Sequence, residues 1–260
     1  MGSNGIDRLS LDSIRQILVD LEDTIIFSLI ERAKFPLNSP AYASTNNNPS
    51  LPGFYGSLME FLVKGTEAVH AQELPSAAAS VSVNKNIWDS YVNQFLPLLA
   101  SKGDDGNYAL SVAADLVCLQ ASNTNQVPNS HLLSSFWSRI GIELSVVLGQ
   151  FCAISRRIHY GKFVGETKFR GATEAYSAAI RAKDRETITN LLTDEKVEAM
   201  VKQRVKKKSM IFGQQVTLND TNNSSNFKVD PSLVSRLYDE LVIPLTKDVE
   251  VEYLLRRLDN

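Results

Sequence analysis

Apolar residues in this chain recur at three- and four-residue spacings in one segment after another, and nowhere alternate with polar ones for a useful length. Such spacing buries one stripe of a helix and offers no half-buried strand, so the chain is expected to be all-α, a helical bundle. Ser10 and the following LDSIRQILVDLEDTIIFSLIERAKF place Leu11, Ile14, Leu18, Leu21, Ile25 and Leu29 on that stripe. The Ser10 hydroxyl is positioned as an N-cap, and the helix is expected to end before Pro36. A second helix is expected in SLMEFLVKGTEAVHAQ, weakened by Gly65, and a third in NKNIWDSYVNQFLPLLA, stopped by KGDDGN.

Helical spacing resumes at SVAADLVCLQ and is broken by SNTNQVPNS, whose Pro128 and Asn and Ser residues a continuous helix would not choose. The apolar run Ile140 to Ile154 holds Glu143 and is too short for a membrane span, so it reads as a packed helix. From Ser155 three helical stretches are expected, RRIHYGKFVGETKF, EAYSAAIRAKDRETITNLL and EKVEAMVKQRVKKKSMIF, joined at Gly171 and at Thr193–Asp194. A polar loop follows from Gln214 to Asn226, and Pro231 opens a final helix that Pro244 is expected to kink. The 260 residues suit a single domain.

A net charge of −2 provides no global field for nucleic acid or anionic lipid, so an anionic ligand would have to be held by locally placed cations. The basic run Lys202, Arg204, Lys206, Lys207 and Lys208 reads as a solvated helix end rather than a nucleic-acid patch. No Ser/His/Asp set, acid dyad or phosphate loop is evident, and no cofactor is implied. His70, His131 and His159 are scattered, and Cys118 and Cys152 stand in no metal spacing, so no metal is expected. The two cysteines suit a reducing compartment. MGSNGIDRLSLDSI lacks a signal or transit pattern, which points to the cytosol, with no membrane partner.

The informative cations lie on helices. Arg157 and Lys168 are eleven residues apart, about three turns, and on one helix would leave the same face roughly 16 Å apart. They could then grip the two ends of a small dianion. Thr246 and Glu250, four apart, share a face and could meet one ligand with a hydroxyl and a carboxyl. The competing reading is a solvated face with weak ion pairs, the commoner use of such residues.

SRRIHYGKFVGETKF and PLTKDVEVEYLLRRL resemble the two signature helices of the fungal and plant chorismate mutases. SIRQILVDLEDTIIFSLIERAKFPLNSPAY, NKNIWDSYVNQFLPLL, GDDGNY and CLQ extend the resemblance over most of the chain, in the family's order, and nearest to the plant cytosolic form. The resemblance implies an all-helical homodimer that converts chorismate to prephenate on the way to phenylalanine and tyrosine. It implies that Arg15 and Arg157 bind substrate carboxylates, that Lys168 and Glu250 meet the ether oxygen, and that Glu198 binds the ring hydroxyl. Thr246 would support the carboxylate end. The reaction is a unimolecular [3,3] rearrangement and needs no nucleophile or metal. Some relatives have Gln at the position of Glu250, which implies that Glu250 acts protonated.

The chain departs from that family twice. After HAQ only ELPSAAAS intervenes before VSVNKNIWD, so residues 75–82 are a shortened linker where relatives carry part of an amino-acid effector site. Ala109 and Leu110 also stand where regulated relatives have a Gly-Ser pair, and no control by tryptophan or tyrosine is expected. Residues 122–154 are an atypical insert between CLQ and SRRIH, segments that relatives join in one long helix. Activity therefore depends on whether that helix resumes near Ser155. The alternative is an inactive or weakly active isoform that keeps the helical scaffold as a dimerisation or interaction protein.

Overall fold

The computed structural model describes residues 10–43, 56–57, 60, 81–119, 153–215 and 226–258. The second expected helix (apart from its start), most of the linker and of the 122–154 insert, His70, His131 and Cys152 lie outside the described residues. At the start of that second helix, Ser57 and Glu60 exchange the two hydrogen bonds of a capping box, at 2.8 and 3.0 Å.

Helix α1 (Leu11–Arg32) begins as its sequence directs, with Ser10 Oγ accepting the Ser13 N–H at 3.1 Å. It buries Ile14, Leu21, Ile25, Ile26, Leu29 and Ile30. Its last residue, Arg32, is fully buried and leads the chain around a corner. The Arg32 Nε donates to Asp115 at 2.8 Å, and its two terminal nitrogens donate to the carbonyls of Phe35, Pro36 and Leu37 and to the Tyr42 hydroxyl. Tyr91 and Tyr42 both donate to Asp115, so the buried carboxylate is satisfied from three sides.

Helix α2 (Asn84–Ser90) runs through a π turn, Tyr91–Phe95, into α3 (Leu96–Leu99). The cause is Pro97, which has no N–H and whose ring excludes the carbonyl four residues back. The ladder widens just before it, and the Leu96 N–H reaches the Tyr91 carbonyl. The same device recurs near the C-terminus. There α10 (Pro231–Leu237) passes through the π turn Tyr238–Val242 into α11 (Ile243–Leu255), with the Ile243 N–H on the Tyr238 carbonyl ahead of Pro244. The disturbance expected at Pro244 thus takes the form of a wide turn just upstream.

Helix α4 (Tyr108–Leu119) carries Asp115, and α5 (Ala153–His159) packs against both α4 and α1. Ser155 is thus helical, as expected, and the helix already includes Ala153, the first residue described after the gap. It ends at Tyr160, and α6 (Gly161–Gly171) follows. This corrects the expectation that Arg157 and Lys168 share three turns of one helix, because they lie on α5 and α6. A second unforeseen break separates α7 (Thr173–Arg181) from α8 (Arg185–Leu192), at Lys183 with φ of 53° and with Asp184 capping α8. Helix α9 (Glu195–Gly213) starts at the expected junction, where the Asp194 carboxylate accepts the Val197 N–H at 3.1 Å.

The described residues form no strand; one antiparallel bridge pairs Gln214 with Phe227. Two apolar cores result. The larger draws on α1 to α5, α9 and α10 and reaches Val249 of α11. The smaller joins Phe169 of α6 and Tyr176, Ala179, Ile180, Ile188 and Leu192 of α7 and α8 to Val251 and Leu254 of α11. Helix α11 is the seam between them, and it carries Thr246, Lys247 and Glu250. No described helix is long and apolar enough to cross a membrane.

Candidate active site

Helices α6 and α11 approach more closely than side chains ordinarily permit. A methyl group at Gly161 would lie 2.9 Å from the Thr246 carbonyl oxygen and 3.1 Å from Glu250 Cγ, and one at Gly165 would lie 3.7 Å from Glu250. Two glycines four apart thus face Thr246 and Glu250, also four apart. The pair is clamped beyond this contact by Glu166, whose buried carboxylate accepts from Tyr253 at 2.8 Å, from Arg257 at 2.7 and 3.1 Å and from Arg170 at 2.9 Å. These donors hold Glu166 at a pKa of about 2, well below the ordinary carboxylate range, against its own burial.

The close approach shuts Glu250 away from water. It is 5% exposed, and burial pushes its carboxyl up to about 7. Lys168 of α6, Arg157 of α5 and Lys247 of α11 pull in the opposite direction, and Glu198 of α9 pushes with burial. Four helices therefore bring charge to one carboxyl. Glu198 is held by Lys247 at 2.8 Å. Lys168 Nζ donates to the Leu192 carbonyl at 2.5 Å, which leaves two further hydrogens on the ammonium.

Arg157 is 7% exposed, yet its Nε and one terminal nitrogen have no hydrogen-bond partner. A buried guanidinium without an acceptor is costly to maintain and is a place prepared for an anion. The hydroxyl of buried Tyr238 is likewise without a partner, and the Arg157 charge acts on it. Thr246 is buried, but its hydroxyl hydrogen is committed to the Val242 carbonyl at 2.6 Å. It reaches an anion as a donor only after rotating away from its own helix.

The structure thus brings Arg157, Lys168, Glu198, Thr246 and Glu250 to one locality and leaves Arg15 on the exposed start of α1, 3.3 Å from Asp12. The solvated-face reading is wrong for Arg157, Thr246 and Glu250, which are buried. Sequence reasoning missed Lys247, Tyr238 and the two glycines. The Gly161 and Gly165 spacing was a usable signal for close helix contact, whereas nothing local marked Tyr238. Lys168 and Asp194 also line an open cleft of about 620 Å³ with Tyr176, Leu192 and Thr193.

Other candidates resolve into structure. His159 accepts the Val83 N–H on Nε2 at 3.3 Å and donates from Nδ1 to the Ser155 carbonyl at 2.8 Å, and burial lowers its pKa to about 4. It is a neutral tie between α5 and the start of α2. Of the basic run, Lys202 pairs with Asp239, Arg204 with Glu22, and Lys208 with Glu22 and Asp23. Those charges are spent on packing α9 against α1 and its neighbours. No group of three or more His, Cys, Asp or Glu suited to a metal occurs among the described residues.

Residues 152–251 match the family model of chorismate mutase type II. The chain is 46% identical to chorismate mutase 2 of Arabidopsis thaliana over 290 aligned positions, covering 99% of this chain and 97% of the relative. It is 41% identical to the cytosolic chorismate mutase 2 of Zea mays over the whole of both. Among solved structures, the Candida albicans chorismate mutase in complex with L-Trp superposes with a TM-score of 0.75 at 30% identity, covering 96% of this chain and 92% of that one. The Arabidopsis alignment is longer than the 260-residue chain, so that relative carries sequence with no counterpart here.

Proposed function

The chain belongs to the chorismate mutase family, and we propose that the cluster around Glu250 is where it turns chorismate into prephenate. The activity is that of an isomerase. The single observation that supports this site most is Arg157, a buried cation with two unpartnered nitrogens beside a carboxyl driven toward neutrality.

A [3,3] rearrangement breaks one carbon–oxygen bond as one carbon–carbon bond forms, within a single molecule. The protein must hold the reactive conformer and stabilise charge that gathers on the ether oxygen. Even modest enzymes supply about 8 kcal/mol in this way. In our reading Arg157 takes a substrate carboxylate by charge-assisted hydrogen bonds. Lys168 and protonated Glu250 direct two donors at the ether oxygen, one charged and one neutral. Glu198, oriented by Lys247, accepts from the ring hydroxyl. Thr246 supports the carboxylate end once its hydrogen leaves Val242. Arg15 is the outlying member and adds a second cation for the substrate's other carboxylate.

Several further points rest on the same reading. No cofactor enters the scheme. The Zea mays relative named cytosolic supports placement in the cytosol, and we infer a homodimer, as the family resemblance implies. A relative binds L-Trp, but the short 75–82 linker and Ala109 and Leu110 argue against an effector response here. A scaffold protein that had lost the reaction would have no use for a buried guanidinium lacking partners, so the interaction-protein alternative is not favoured. The test is loss of chorismate absorbance with purified protein, compared with Arg157→Ala. Turnover that survives the substitution unchanged rules this site out.

A further inference from the structure

Side chains from two other helices finish the C-terminus of α8. A helix leaves its last carbonyls without backbone partners. Here the Leu191 carbonyl accepts the Tyr176 hydroxyl of α7 at 3.0 Å, and the next carbonyl, Leu192, accepts Lys168 Nζ of α6 at 2.5 Å. The two acceptors are consecutive carbonyls at one helix end, so a donor that holds the first also restrains the second. The negative end of the α8 dipole also suits an ammonium.

We propose that Tyr176 is a positioning residue for Lys168, holding the α8 terminus as the mount on which the ammonium is aimed. The inference rests on the site reading given above. Tyr176 is 3% exposed and tilts against Phe169, with ring centroids 6.5 Å apart, so its ring is fixed by the smaller core. Its hydroxyl ties that side chain to α8 through a hydrogen bond, and Tyr176 lines the same cleft as Lys168. Helices α7 and α8 meet the rest of the fold largely through this small core. Without the Tyr176 hydroxyl, the α8 end and the Leu192 carbonyl gain freedom, and the ammonium spreads into the cleft.

The consequence is specific to chemistry. A donor to the ether oxygen acts as the bond breaks, so looser aim lowers kcat more than it raises KM. Lys168 also favours the ionised form of Glu250, together with Arg157 of α5 and Lys247 of α11 and against Glu198 of α9; the Glu250 charge in turn acts on Tyr176 of α7. With the ammonium less closely held, Glu250 keeps its proton to higher pH.

The experiment compares the wild type with Tyr176→Phe, Ile188→Val and Lys168→Met, and adds Tyr176→Phe in the Lys168→Met background. Tyr176→Phe keeps the ring and removes one oxygen. Expected are a kcat reduced roughly three- to thirty-fold, KM changed less than twofold, and an alkaline limb of the kcat profile moved to higher pH. Ile188→Val, which loosens the same core, should leave that limb in place, and Tyr176→Phe should add no further loss once Lys168 is gone. An unmoved limb, or an equal loss in the Lys168→Met background, overturns the positioning role. A wild-type protein without turnover, or a fully active Lys168→Met, overturns the site reading instead.

Discussion

The Thr246 carbonyl oxygen stands 2.9 Å from where a methyl group on Gly161 would lie. The nearest obstacle there is backbone, which cannot rotate aside as a side chain can. Gly161→Ala should therefore push α6 off α11 and cost about 1–3 kcal/mol in urea unfolding, with a fall in kcat because Glu250 loses its seal. Gly165→Ala, whose methyl would meet Glu250 at an ordinary 3.7 Å, should cost less than half as much. Equal costs would remove the argument that this one contact sets the helix spacing.

Glu250 links the rate to pH. With its carboxyl at about 7, the donor form is present below that pH and is lost above it, so kcat should fall as pH rises through about 7. Glu250→Gln donates at any pH, and its profile should lack that alkaline limb. Should the limb stay in place in the Gln variant, Glu250 is not the donor.

The same carboxyl bears on stability, with a definite sign. Its folded pKa lies above the ordinary value of 4.5, so the folded protein binds the proton more tightly than the unfolded chain. Its contribution is complete below about 4.5 and is lost as pH rises to about 7, beyond which it is constant. Wild type minus Glu250→Gln, measured by urea melts at pH 5 and 8, should expose a difference of a few kcal/mol, greater stability lying at pH 5. A flat difference excludes it.

Arg157 should separate function from stability. Arg157→Met keeps most of the volume and removes a buried charge with two unpartnered nitrogens. Activity is expected to fall about a hundred- to ten-thousand-fold in kcat/KM, while the melting temperature holds or rises. A loss of stability above about 2 kcal/mol would make Arg157 a structural residue. Arg15→Met, at an exposed position, should leave stability unchanged and cost kcat/KM less than Arg157→Met.

The opposite pattern is expected at the corner of α1. Asp115→Asn leaves the fully buried Arg32 without its ion partner and should cost about 3–5 kcal/mol, read from denaturant midpoints, with kcat of the folded fraction little changed. Arg32→Met combined with Asp115→Leu should cost less than Asp115→Asn alone.

Much of this protein was legible in its sequence because the signals concerned are local. Ser10, Asp194 and Pro231 mark helix starts through hydrogen bonds and dihedrals that involve only their neighbours, and the apolar spacing of α1 names the face it buries. The residue types of the proposed site came from the resemblance. What depends on other parts of the chain was not. The break between Arg157 and Lys168 falls where α6 presses on α11, and each π turn takes its place from a proline ring excluding a carbonyl.

The sequence by itself determined an all-helical chain of a particular family and supplied a carboxyl, a hydroxyl and cations at set positions. Only the tertiary structure decided that Glu250 is sealed by Gly161, that Arg157 is buried without partners, that Lys247 holds Glu198, and that Arg15 stays in solvent. The reason is physical. Helix propensity and capping act over a few residues, whereas desolvation and charge coupling depend on which helices pack together, and those are long-range outcomes of burying two cores against one seam.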